Sequence, residues 1–206
     1  MLGTFKSLAK ALLRPWVMHT GPRDGVWLTF DDGPDPVITP RVLDALDRAG
    51  VRATFFMIGS EMERHPTIVE AVRSRGHGVA LHGFDHRHAA DLNWREQWAD
   101  LERMREVAGR FGVRLRWYRP PYGELTALRL IWCALRGVRI VMWSFESRDS
   151  FLPDAAALVA RAVPSALRSG DIALFHDDTP ITAEALPAIL TGASAAGLVF
   201  TLPHHP

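Results

Sequence analysis

The chain has 206 residues, of which 48% are hydrophobic and 23% charged, with a formal charge of +1. That length suits one domain with its own core, and the composition argues against disorder. The near-neutral charge excludes polyanion binding as a main function, so no nucleic-acid partner is expected.

The first 23 residues carry Lys6, Lys10, Arg14 and Arg23 and no acid, with Leu2, Phe5, Leu8, Leu12 and Trp16 at helical spacing. This predicts a basic amphipathic helix over 1–23, followed by a single domain over 24–206. Such a helix packs on the body of the fold or makes peripheral contact with a membrane surface through residues 1–20. Lys10 interrupts the apolar core that a secretory signal needs, and no apolar run approaches the ~18 residues that span a bilayer. The expected location is cytoplasmic, with the inner membrane as the surface such a helix would touch, and the expected state is a monomer.

From Val26 onward short apolar strands alternate with helical patterns. Strands are predicted at 26–30, 53–57, 78–81, 116–119, 138–143, 172–175 and 198–201. Helices are predicted over 39–49, closed by Gly50, over 93–110 with Trp94, Trp98, Leu101 and Val107 near one face, over 124–136 ending at Gly137, over 154–168 despite Pro164, and over 182–195. The alternation argues for about seven β/α units with parallel strands, as a doubly wound sheet or a barrel. Cys133, the one cysteine, lies in an apolar helical run and reads as an inert core thiol.

Polar residues gather after strand ends: Asp31-Asp32, His82 and His86, Arg119, Asp149 and His176. In a barrel these positions share the C-terminal face, where catalytic groups collect. Asp31-Asp32-Gly33-Pro34 by itself is compatible with an ordinary turn, but two adjacent carboxylates are costly without a cation or a shared proton. His82 and His86 are close enough in sequence to reach one metal, and Asp32-His82-His86 would offer two nitrogens and one oxygen with an open fourth position.

In order along the chain, Thr29-Phe30-Asp31-Asp32-Gly33-Pro34, His82-Gly83-Phe84-Asp85-His86, Arg119-Pro120-Pro121-Tyr122, Glu146-Ser147-Arg148-Asp149-Ser150 and Leu174-Phe175-His176 resemble the five motifs of the polysaccharide deacetylases, carbohydrate esterase family 4, also called the NodB homology domain. The resemblance covers about Val26 to Thr201 and implies an α/β fold, a distorted (β/α)7 barrel. It implies that Asp32, His82 and His86 hold a divalent metal, zinc before cobalt or nickel, and that Asp31 is the catalytic base, held by Arg119. His176 would be the acid, tuned by Asp149, while Tyr122 gives a backbone N–H to the oxyanion and Pro121 and Leu174 line the substrate pocket. The implied reaction removes an acetyl group from an amino sugar in an oligosaccharide, polysaccharide or glycolipid. Deformylation of a lipid-linked aminosugar and non-catalytic carbohydrate binding are the alternatives.

Three positions depart from the motifs. Gly83 stands where a hydroxyl residue braces the histidine loop, so weaker metal binding or another brace, Asp85, is expected. Ser150 replaces an aromatic wall that Trp117, Trp143, Phe145 or Phe151 would have to supply, and Glu146 replaces an aspartate. His65, His77 and His88 are read as surface or loop residues, and His204 and His205 as a polar tail.

Overall fold

A computed structural model of the chain describes residues 16–203. Its strands are β1 (Val17–Met18), β2 (Trp27–Asp31), β3 (Thr54–Met57), β4 (Gly78–Leu81), β5 (Trp117–Tyr118), β6 (Arg139–Val141), β7 (Phe145–Glu146) and β8 (Ile172–His176). Its helices are α1 (Ile38–Ala49), α2 (Gly59–Arg64), α3 (Pro66–Ser74), α4 (Trp94–Arg110), α5 (Ala127–Arg136), α6 (Ala155–Arg161) and α7 (Pro180–Ala195). The strands run in the order β1-β6-β5-β4-β3-β2-β8-β7, each parallel to its neighbours. They curl into a distorted (β/α) barrel whose edges are β1 and β7.

Strand alternation sorts side chains into two cores. Trp27, Phe56, Ala80, Trp117, Val141 and Ile172 point inward and fill the barrel, with Trp27 Nε1 donating to Thr54 Oγ1 at 2.9 Å. Leu28, Phe30, Phe55, Leu81, Tyr118, Ile140 and Phe175 point outward and pack beneath the helices. Burying these apolar faces stabilises the fold by roughly 25 cal/mol for each Å² removed from water. Continuing the inward rows by two residues per step reaches Thr29 and Asp31, His82, Arg119, Leu174 and His176. The same period that builds the core therefore delivers polar groups to one mouth.

Six of the seven predicted strands are present. The seventh, 198–201, is reduced to a parallel bridge between Val26 and Phe200, while the two-residue strands β1 and β7 were not predicted. Of the expected N-terminal helix, residues 1–15 lie outside the described part, and Val17–Met18 is an extended edge strand against β6. The helix expected over 154–168 stops at Arg161 and resumes as a 3-10 turn at Pro164–Ala166. Pro164 lacks an N–H and forces Val163 out of the helical region, to φ −58° and ψ 151°. Gly50 and Gly137 close α1 and α5 in the left-handed conformation, as expected. Trp94 is exposed although Leu101 and Val107 of its helix are buried, and His77, read as a surface or loop residue, is buried. His204 and His205 lie outside the described residues.

Candidate active site

Asp31 is the last residue of β2 and points inward. Arg119, fully buried just past β5, meets it with Nη1 2.6 Å from Asp31 Oδ1. The same Nη1 also donates to Thr29 Oγ1 at 3.0 Å, while Nε and Nη2 donate to the carbonyls of Val141 and Met142, each at 3.1 Å. The arginine therefore cannot swing away, and Asp31 keeps one oxygen directed toward the mouth. Asp32 leaves the strand at φ 75°, a left-handed conformation that aspartate tolerates better than most residues, and turns its carboxylate the other way.

His82 follows β4, and His86 lies four residues on at φ 51°. His82 Nδ1 is 2.9 Å from the carbonyl of Arg119, which only accepts, so Nδ1 carries the proton and the Nε2 lone pair faces Asp32. Asp32 Oδ1 sits 3.3 Å from His82 Nε2 and 3.1 Å from His86 Nε2, yet it is buried without a hydrogen bond of acceptable geometry. The two imidazole Nε2 atoms face each other at 3.2 Å. All three ligand atoms lie within 4.8 Å of one another. Burial raises the cost of charge on Asp32, but the two imidazoles override it and hold the carboxyl well below the usual range. Burial likewise opposes charge on His82, while Asp31, Asp32 and the Arg119 carbonyl push its pKa up. Three lone-pair donors that together attract positive charge suit a divalent ion.

His176 ends β8, where it pairs in register with Asp31. Asp149, fully buried, holds its Nδ1 at 2.6 Å through Oδ1, and the other oxygen accepts from the His176 N–H at 2.7 Å and from Thr182 Oγ1 at 2.6 Å. Burial works against the imidazolium, but the hydrogen bond and charge of Asp149, with Asp31 and Asp32 farther off, push His176 up to about 9. With Nδ1 committed, Nε2 is left toward the site, 3.9 Å from Asp32 Oδ2.

Pro121 is buried against Gly83, and Tyr122, at φ 57°, is 52% exposed at the rim. Its ring lies 4.5 Å from that of His86 and stacks on His88 at 3.6 Å and 12°. Leu174 is buried beside Thr29 in the β2–β8 register. A cleft of about 440 Å³ opens beside Asp32 and His86 and is lined by Asp35, Glu61, His65 and Asp178. All ten residues that the motifs single out thus lie at the one mouth of the barrel.

Some positions differ from expectation. The histidine loop is braced by Asp100 of α4, whose carboxylate accepts from the Phe84 N–H at 3.2 Å and the Asp85 N–H at 3.3 Å; Asp85 contributes only its backbone there. Trp117 is inside the barrel and Phe145 packs on Phe175, so neither replaces the missing wall at Ser150. Trp143, against Gly123, and Phe151, 84% exposed beside Ser150, are the aromatics left near the mouth. Asp100, Thr182, His88 and Asp177 were not assigned from sequence. A second Asp-Asp pair after a strand end, Asp177-Asp178, was the one visible signal among them.

Residues 19–136 match the family described as Polysaccharide deacetylase. A peptidoglycan-N-acetylglucosamine deacetylase of Bacillus cereus is 38% identical over 125 residues, 60% of this chain and 46% of that one. A chitooligosaccharide deacetylase of Sinorhizobium fredii is 38% identical over 175 residues, 79% of each chain. The crystal structure of a peptidoglycan N-acetylglucosamine deacetylase superposes with a TM-score of 0.85 at 29% identity, covering 93% of this chain and 92% of that one.

Proposed function

The chain belongs to the polysaccharide deacetylase family, and from that premise we propose that it hydrolyses the N-acetyl group of an N-acetylated amino sugar in an oligosaccharide, polysaccharide or glycolipid. The observation that carries the reading is convergence. Asp31 Oδ2 is 3.7 Å from His82 Nε2 on one side of the Asp32-His82-His86 cluster, and His176 Nε2 is 3.9 Å from Asp32 Oδ2 on the other.

The three ligands fit a divalent ion, zinc by their donor set, which when bound polarises the amide carbonyl and acidifies water. Asp31, held in place by Arg119, takes the proton of the attacking water as its oxygen bonds to the carbonyl carbon. The backbone N–H of Tyr122 donates to the developing oxyanion. When the carbon–nitrogen bond breaks, the electron pair stays on nitrogen and His176 supplies its proton from Nε2, giving acetate and a free amine. Asp149 fixes the tautomer that makes this delivery geometrically available. Leu174 and Pro121 bound the space for the acetyl methyl, and the Tyr122–His88 stack offers a flat rim to a sugar ring.

Purified protein supplied with zinc is expected to release acetate from chitooligosaccharides or peptidoglycan fragments. Asp31→Asn is expected to abolish release while retaining the metal, and His82→Ala to lose the metal. Zinc-loaded protein that releases no acyl group from any such substrate would overturn the reading, and formate in place of acetate would redirect it to deformylation.

A further inference from the structure

Behind the aspartate turn lies a carboxyl that the proposed chemistry does not use. Asp177 follows His176 at the end of β8 and is buried. Its Oδ1 accepts from the Gly33 N–H at 3.1 Å, and its Oδ2 is 2.5 Å from Thr39 Oγ1 in the first turn of α1. Thr39 Oγ1 also accepts from the Asp35 N–H at 2.8 Å, and the Asp177 N–H donates to the Asp31 carbonyl at 3.2 Å. One residue therefore ties both ends of the segment that runs from Asp31 to α1. Gly33 makes room for it, since a Cβ there would collide with both carboxyl oxygens.

We propose that Asp177 is a positioning residue which, through Gly33 and Thr39, fixes the turn that presents Asp31 to Arg119 and Asp32 to the two histidines, and so sets the affinity of the metal site. The inference rests on the reading of Asp32, His82 and His86 as metal ligands. Geometry carries it, and electrostatics agrees: burial, with the charges of Asp178 and Asp32, pushes the Asp177 carboxyl up to about 8. In its neutral form Oδ2 donates to Thr39 Oγ1, and the threonine hydroxyl donates onward to the Asp177 carbonyl at 3.3 Å.

The test uses the full chain and zinc alone, with no substrate. Asp177→Asn reproduces the shape and the donor–acceptor pair of the neutral carboxyl, whereas Asp177→Ala removes both. Zinc dissociation constants, read by competition with a chromophoric chelator on protein whose folding is verified by circular dichroism, are expected to weaken about 10- to 100-fold for Asp177→Ala. Asp177→Asn is expected to restore wild-type affinity to within about threefold. A purely structural role would lower the thermal midpoint and leave the zinc affinity of the folded protein unchanged. Should Asp177→Ala not fold, Thr39→Val against Thr39→Ser reads the same brace from its other end, with weakening expected only for valine. Equal affinity in wild type and Asp177→Ala, or an Asn variant as weak as the Ala variant, overturns the role of Asp177 alone. Wild-type protein that binds no zinc overturns the metal reading together with the inference built on it.

Discussion

Asp31 and Asp32 are covalent neighbours with opposite surroundings, and the difference comes from one backbone dihedral. Asp31 ends an extended strand and meets a guanidinium held by three other acceptors, while Asp32 turns at φ 75° into two imidazoles. Removing Arg119 would leave a buried carboxylate unpaired, a defect that costs about 3–5 kcal/mol. Arg119→Met is therefore expected to lower the urea-unfolding free energy by about that much, and adding Asp31→Asn to recover part of it; strictly additive losses would show that the pair is not coupled. The Asp149–His176 pair obeys a different logic, because its value lies in aim. Asp149→Asn is expected to reduce kcat/KM about 10²- to 10⁴-fold, with zinc content unchanged, because one amide oxygen must then serve Nδ1, the His176 N–H and the Thr182 hydroxyl, which the carboxylate shares between two. Sequence made Asp31, Asp32, Arg119, Asp149 and His176 legible through their order in five motifs and their positions after strands. Thr182 and Asp177 were not, because what each does depends on which distant oxygen or N–H the fold brings within 3.1 Å.

The loop between β4 and α4 is braced by a residue that its own motif does not contain. Gly83 was expected to cost the histidine loop a hydroxyl brace, with Asp85 as its substitute. Instead α4, begun by an Asn93–Glu96 capping box, carries Asp100 back to the loop from 14 residues beyond His86. Helix periodicity made α4 visible, but which of its residues would face the loop depended on packing that no local pattern encodes. Asp100→Ala is accordingly expected to weaken zinc binding about 10-fold or more, and Asp85→Ala to leave it unchanged; the reverse order in a chelator competition would restore Asp85 as the brace. Gly83 also has its own reason to stay glycine, with φ 82° and Pro121 Cγ 2.9 Å from where a Cβ would stand. Restoring the family's hydroxyl with Gly83→Ser is expected to destabilise the fold by about 1–2 kcal/mol, measured by urea unfolding, and to give no gain in metal affinity. The strands tell a similar story. Long apolar runs such as Trp27–Asp31 and Ile172–His176 were readable, whereas β1 and β7, two residues each, exist only because longer neighbours offer them an edge.

Histidines stand at both ends of the sheet, in opposite surroundings. His82 and His176 stand at the C-terminal ends of strands among carboxylates, whereas His77 immediately precedes β4 at the N-terminal end, against Phe55 at 5.5 Å. Its Nδ1 accepts from the Ala53 N–H at 3.2 Å, an arrangement that requires a neutral ring. Burial is the main cause, and the cations Arg52 and Arg75 outweigh Asp47, so its pKa falls from 6.5 to about 4. The unfolded chain therefore binds a proton that the folded chain refuses between pH 6.5 and pH 4. Stability contributed by the neutral ring is fully present above pH 6.5 and is lost as pH falls through that window. The loss amounts to about 3 kcal/mol once the pH is below the folded value. His77→Asn keeps a neutral acceptor for Ala53 and has nothing to titrate. Urea-unfolding free energies of wild type and His77→Asn, compared at pH 7 and pH 4.5, are expected to show a steeper acid loss in wild type, and parallel losses would mean that His77 takes up its proton without strain in the fold. Because this group lies at the end of the barrel away from the mouth, its substitution is expected to leave zinc affinity and acetate release at pH 7 unchanged, so that acid sensitivity of the fold and of the site can be separated in one protein.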